Sequence, residues 1–294
     1  MATYTTYDQV GKKEDVSDII TSISPFSTPC QSMFKNEKVS ARTFSFLEDA
    51  LADSQVNAAV EGADASMLTL TDATERTQNT QILTKAFQVS ATADAVATYG
   101  RAKETGLQLA KKLKEIKKDY ERAMVGVEQA AVAGNASTAR QMTSILNQIS
   151  TTVDSGANAT DALTEAKLLL AGETAYNNGS EPDTFMIKPG DAQIVAGFSA
   201  ASGRNREIAQ GKTLVNAIDL YVSPYGEYRV VLNRELKTTH ALLIDPTMFK
   251  TCTLRPFTRT LLAKNGDSDR HHIVGEVSCK HTNFGDSVAI IGLS

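Results

Sequence analysis

The sequence predicts an α+β fold. One helical stripe occupies residues 100–133, and most of the chain after Leu214 alternates with the period of strands. Between two alternating segments near the N-terminus lies a long acidic excursion with neither period. At 294 residues, 41% hydrophobic and 22% charged, the chain has the size and make-up of an ordinary globular protein, with room for a large core or two modules. No apolar run approaches the roughly 18 residues that span a bilayer. The opening MATYTTYDQVGKKEDV lacks the apolar stretch of a secretory signal. Three widely spaced cysteines, Cys30, Cys252 and Cys279, suit reduced thiols rather than a disulfide framework.

Charge is unevenly spread. Residues 48–75 hold seven acidic side chains and no Lys or Arg, so they carry −7 of a net −4 and leave +3 for the rest. An acidic segment on a mildly basic body is suited to docking on another surface.

In chain order, EDVSDIITSIS is a short amphipathic piece, and Pro25 and Pro29 favour extended chain after it. ARTFSFLED alternates at Phe44 and Phe46 as a half-buried strand does, and TQILTKAFQVSATADAV does so at Leu83, Phe87 and Val89. These two strands, flanking the acidic excursion, predict a long hairpin with an elaborated tip. Leu109, Leu113, Ile116, Tyr120, Met124 and Val127 then recur three or four apart, predicting a helix of about 50 Å over 100–133 that Gly134-Asn135 would cap. Its other face carries Lys111, Lys112, Lys114, Lys117 and Lys118, either a solvated face or a surface for a polyanion. STARQMTSILNQIS and DALTEAKLLLAGETAYN, the latter capped by Asp161, read as helices, as does GDAQIVAGFSAASG; TFMIKPG reads as strand and turn. LVNAIDLYVSP, EYRVVLN, HALLIDP, MFKTCTLRPFTRTLLA, RHHIVGEVSCKH and SVAIIGL read as strands, with Asn265-Gly266 turning between the two longest.

Signs of chemistry are sparse. GKT at Gly211–Thr213 lacks the glycine a phosphate loop needs, since Arg206 stands there, and a strand pattern follows where a helix should. His271, His272, Cys279 and His281 match no zinc spacing. No Gly-x-Ser-x-Gly elbow is present, and no carboxylate sits in an apolar run that would tune it for proton transfer. The sequence therefore predicts no catalytic residues, no cofactor and no metal, and a protein whose work is assembly.

EDVSDIITSISPFSTPCQSMF, VEGADA at Val60–Ala65, GRAKETGLQLAKKLKEIKKDYERAM and FKTCTLRPFTRTLLAKNGDSDRHHIVGEVSCKH together resemble the major capsid proteins of tailed bacteriophages. The likeness is to the SU-ten-like podophage family, with the Hong Kong 97-type (Johnson) fold. It implies an N-terminal arm at 1–40, an extended E-loop at 41–90 and a peripheral P-domain at 91–135 with a long spine helix. An axial A-domain would fill 136–243, and closing P-domain strands 244–294. In that fold the E-loop lies over the P-domain of a neighbouring subunit.

The energetics of such a loop point the same way. Ordering a coreless loop costs roughly 1–2 kcal/mol per residue, and one exposed ion pair returns about 0–1 kcal/mol. Val56, Val60, Met67, Leu68 and Leu70 must therefore bury apolar area between subunits, while Glu48, Asp49, Glu61 and Asp64 set register. Arg101, Arg255, Arg259 and Arg270 are the candidate basic partners, and Lys111–Lys118 the candidate inner face toward packaged DNA. Some relatives weld subunits through a lysine on the E-loop; residues 48–75 contain none, with Lys38 and Lys85 nearest, which disfavours covalent linkage.

The expectation is a head protein assembling as hexamers and pentamers into an icosahedral virion shell around double-stranded DNA, made in the host cytoplasm. Its partners would be further copies of itself, a portal, a separate scaffolding protein (the N-terminal region being too short for a fused one) and a decoration protein, with no membrane. Rival readings are an encapsulin-type nanocompartment, a metal-dependent enzyme using His271, His272 and His281, and a soluble DNA-binding protein; the acidic total opposes the last.

Overall fold

The computed structural model describes residues 26–293 except 53, 63, 65–66, 68–69, 97–102, 155–160, 202–219 and 265. The amphipathic piece before Pro25, the Gly211–Thr213 motif, Leu68, Arg101 and Asn265 lie outside the described residues.

The first described element is α1 (Pro29–Met33), followed by β1 (Lys35–Lys38). Pro29 was expected to hold the chain extended; it opens a helical turn instead, because a proline at the first helical position lacks only an N–H that would have no partner there. Next come β2 (Thr43–Glu48), β3 (Thr74–Asn79) and β4 (Gln81–Ser90). The hairpin differs from expectation: β2 pairs with β3 from Thr43↔Asn79 to Glu48↔Thr74, while β4 turns away at Thr80 and pairs with a later strand. TERTQN shows no apolar alternation because all six of its residues are polar; in this ribbon it is β2 that alternates, with Phe44 and Phe46 half-buried.

After α2 (Ala91–Ala95), the spine helix α3 runs over Glu104–Glu121 and continues as a π-turn over Arg122–Gly126. That is about 35 Å at 1.5 Å per residue, shorter than the 100–133 expected. A methyl on Gly126 would lie 2.5 Å from the Glu235 carbonyl oxygen, and the Val125 carbonyl accepts from Lys237 N–H at 3.0 Å. The chain is thus drawn off the helix axis by the 235–237 segment. Residues 127–144 form a bent-back loop joined at Val132↔Gln141, turned at Gly134 (φ 69°), where Asn135 Oδ1 accepts from the Ser137 and Thr138 N–H groups.

The next stretch contains α4 (Ile145–Gln148), far shorter than its pattern suggested, then β5 (Thr151–Asp154) and α5 (Glu165–Asn177). Thr164, not Asp161, caps α5, its hydroxyl accepting from Lys167 N–H; Asp161 bridges to Leu293 instead. β6 (Thr184–Ile187), α6 (Ala192–Ala201), β7 (Leu220–Ser223), β8 (Gly226–Leu232) and β9 (Ala241–Ile244) follow. The chain closes with β10 (Phe249–Leu262), β11 (Ser268–His281) and β12 (Val288–Ile291).

Two sheets organise these strands. One has the order β1-β10-β11-β4, built on the long β10–β11 hairpin, whose register slips beside Pro256 because proline offers no N–H to the ladder. The other has the order β5-β12-β9-β6-β8-β7. β12 was expected among the closing strands of the first sheet; it lies inside the second, between β5 and β9, so that sheet crosses the expected boundary at 243/244.

The central strands of the second sheet serve two cores through their period of two. Met186, Leu242, Ile244 and Ala289 face a cluster made with Tyr120, Met124, Cys30, Phe34 and Phe249. Phe185, Ile187, Leu243, Val288 and Ile290 face the opposite cluster, with Leu168 and Ala171 of α5 and Val195 and Phe198 of α6. β6 and β9 are buried on both faces, as their unbroken apolar runs require.

Urea unfolding of unassembled subunits should therefore separate two glycines of the spine. Gly126→Ala, which drives a methyl into backbone, should destabilise by about 2 kcal/mol. Gly106→Ala, in the same helix with nothing within 4 Å of the added atom, should stabilise by up to about 1 kcal/mol.

Candidate assembly interface

Residues 49–73 contain no helix or strand among their described positions. Leu51, Val56, Val60, Met67 and Leu70 are 80–99% exposed. Asp49, Glu61 and Asp64 are exposed as well. Among the described residues, no hydrogen bond or ion pair ties this flap to another part of the chain; Asp49 Oδ1 accepts from the adjacent Ala50 N–H at 2.9 Å and reaches no further. The flap thus offers an apolar and anionic surface that its own subunit does not cover.

Its base is the opposite case. Glu48 accepts from Arg76 Nε at 2.6 Å and from Phe284 N–H at 2.8 Å. The Arg76 guanidinium lies 4.6 Å over the Phe284 ring, which also meets Phe46 at 6.3 Å. Of the expected inter-subunit residues, Glu48 is therefore engaged within its own chain, where it clamps the hairpin to the 282–286 turn. Sequence reasoning missed Phe284 and Arg76; Arg76 is marked by being the first cation after the acidic run.

From Phe284 the rings continue inward. His281 stacks on Phe284 at 5.9 Å and on Phe249 at 4.1 Å, and Phe249 stacks on Phe34 at 5.1 Å. A column of rings thus connects the segment after α1 to the foot of the flap. His281 is fully buried in it, its Nε2 facing Ser287 Oγ at 3.4 Å.

The expected basic partners do not converge. Arg255 Nε pairs with Glu276 at 3.1 Å, Arg259 Nε donates to His271 Nδ1 at 3.3 Å, and Arg270 Nε donates to Gln88 Oε1 at 3.3 Å. The lysine octet of α3 divides. Lys112 pairs with Glu115 at 2.8 Å and Lys118 with Glu235 at 3.5 Å. Lys111, Lys114 and Lys117, three apart on one stripe, are exposed and, among the described residues, pair with no carboxylate. Lys85, on the flap's stem side, is held by Asp119 at 2.8 Å.

The histidines and thiols are separated by packing. His271 lies against Phe87 at 4.9 Å, His281 stands in the ring column, and Cys279 Sγ donates to the Thr143 carbonyl at 3.2 Å. Burial pushes the Cys252 and Cys279 thiols up to about 12. Among the described residues, no three His, Cys, Asp or Glu side chains come together as a metal set.

Burial also holds His281 at about 4, below its ordinary 6.5. Unfolded chains take up this proton below about 6.5 and folded chains below about 4, so stability is lost as pH falls through that window. The loss reaches about 3 kcal/mol. Comparing urea midpoints of wild type and His281→Phe subunits across pH 7 to 4 isolates it: the wild-type value should drop relative to the variant as the pH falls.

Comparison with known proteins accords with this arrangement. A sequence profile of the SU10 major capsid protein family matches residues 2–294. The major capsid protein of Escherichia phage Phieco32 is 29% identical over 330 aligned positions, covering 95% of this chain and 94% of that one. The capsid protein of a native GTA particle superimposes with a TM-score of 0.65 at 12% identity, over 96% of each chain. The phage G major capsid protein, solved together with decoration proteins, gives 0.61 at 9% identity, over 96% of this chain and 98% of its own. At those identities the structures speak for the fold, which is the Hong Kong 97 type. With its family matched over nearly its whole length, the chain belongs to the SU10 major capsid proteins, the head-building proteins of tailed phages.

Proposed function

We propose that the chain assembles as hexamers and pentamers into an icosahedral head around double-stranded DNA, joined by noncovalent contacts of each flap with a neighbouring copy. In this reading the E-loop of the expected 41–90 span is residues 41–80, because β4 (Gln81–Ser90) joins β1, β10 and β11 in the sheet that with α3 is the P-domain, and the second sheet with α5 and α6 is the A-domain. The observation that carries it is the flap itself, whose apolar side chains are 80–99% exposed while its foot is clamped by Glu48, Arg76 and Phe284. A rigid stem under an uncovered tip is what a subunit needs if a second subunit supplies the cover. The absence of lysine from residues 49–73 favours association without covalent links. No catalytic step and no cofactor enter this function.

Negative-stain microscopy of the expressed protein tests it. Wild type should give shells, tubes or rings. Glu61→Lys combined with Asp64→Lys should give folded subunits by circular dichroism with no stable shells, and normal particles from that variant would overturn the flap contact.

Packaged DNA, a portal and a scaffolding protein complete the proposed partners, with a decoration protein suggested by the one solved alongside the phage G protein. Lys111, Lys114 and Lys117 supply a cationic stripe that, among the described residues, pairs with no carboxylate and is able to meet phosphates without reading sequence. Replacing all three with Gln should leave particle yield unchanged and lower genome retention in assembled heads as salt is raised. Retention identical to wild type across the salt series would remove DNA from this stripe.

A further inference from the structure

At the foot of the flap hairpin, two arginines share one carboxylate and a third stands beside them. Glu276, 5% exposed, receives Arg140 Nη2 on one oxygen and Arg255 Nε, at 3.1 Å, on the other. Thr80 links the third arginine to them. Its hydroxyl donates to Glu276 Oε1 at 2.7 Å, its N–H donates to the Arg42 carbonyl at 2.8 Å, and its own carbonyl accepts from Arg140 Nε at 2.5 Å. Burial, with the like charges of Arg42 and Arg255, draws the Arg140 pKa down. Three guanidiniums less one carboxylate leave a net charge of +2.

Among the described residues, no other carboxylate pairs with any of the three. The cluster is open to solvent on one side: Arg42 is exposed, and the Arg255 side chain is 57% exposed. Like charges gathered in a partly desolvated corner repel, and an added anion relieves them more than it would a lone surface arginine. A planar carboxylate also matches the paired donors of a guanidinium.

We infer that the Arg42–Arg140–Arg255 cluster is the seat for a carboxylate of a second copy's flap. This rests on the flap reading above and adds the place where the anion lands. The occupant follows from charge and reach. Residues 48–75 carry seven acidic side chains without a cation, and Glu61 and Asp64 stand at the exposed turn around Gly62. Each limb of the flap, about twelve residues, can span roughly 40 Å. The chain's own hairpin, six paired residues long, carries its flap away from this corner.

Charge exchange tests the seat. Arg42→Glu alters an exposed side chain that, among the described residues, has no ion pair of its own, and should leave subunits folded by circular dichroism while lowering shell yield by roughly tenfold. Pairing it in one chain with Glu61→Lys or with Asp64→Lys should restore shells in at least one of the two combinations. In a chain with Arg42→Cys and the restoring flap position also changed to Cys, oxidised particles should run as dimers and higher species on a non-reducing denaturing gel.

Normal shells from Arg42→Glu alone would overturn the seat, as would failure of both exchanges or a disulfide formed only within single chains. If the flap double reversal abolishes shells while the exchanges fail, the flap still docks between copies but elsewhere. If that double reversal assembles normally, the flap reading itself fails.

Discussion

The subunit carries an apolar surface that its own chain leaves unburied. Leu51, Val56, Val60, Met67 and Leu70 stand in water on a loop with no core beneath them. Such a segment is not held by its charges, because exposed ion pairs return too little against the entropy of ordering a backbone. In the proposed assembly, apolar cover from another copy makes up the difference. Stem and tip thus divide the work. Glu48, Arg76 and Phe284 use charge-assisted bonds and ring contacts to aim the hairpin, and the tip carries the exposed apolar side chains.

Behind the stem, the second sheet ties the subunit into one piece. Leu242 and Leu243 are neighbours in sequence, yet the first joins the core shared with the spine helix and the second joins the core under α5 and α6. A strand that is apolar on both faces cannot shift by one residue without exchanging its two cores. Buried polar groups reinforce the first of them. Glu121, with no exposed surface, accepts from Cys30 N–H at 2.8 Å and Asn233 Nδ2 at 2.9 Å, fastening α1 to the spine. The chain that leads in from the N-terminal side is therefore anchored before it reaches β1.

What could be foreseen from the amino acids follows the range of the forces involved. The stripe from Ile116 to Met124, the β10–β11 hairpin and the apolar runs TFMI and ALLI were legible because each records local periodicity against a core. The end of the spine helix was not: VEQAAVAG is acceptable helical sequence, and only Glu235 and Lys237, more than a hundred residues away, draw the chain off it. TERTQN escaped notice for want of an apolar face. The acidic flap was plain from charge alone. Its clamp was hidden, because Glu48 and Phe284 are 236 positions apart. The basic residues Arg255, Arg259 and Arg270 could be named from the sequence but not sorted; their partners Glu276, His271 and Gln88 emerge only from strand register.

The position of β12 carries a consequence for the order in which a subunit matures. Val288–Ile291 fits between β5 and β9, strands synthesised far earlier, and pairs with both. Until those four residues leave the ribosome, β5 has no strand joining it to the β9-β6-β8-β7 part of the sheet. Making that join requires closing a loop of well over a hundred residues back to β5, a slow and non-local event. A nascent chain therefore has its flap hairpin in place before its second sheet can be finished. The emergence of β12 sets the earliest point at which the second sheet can close.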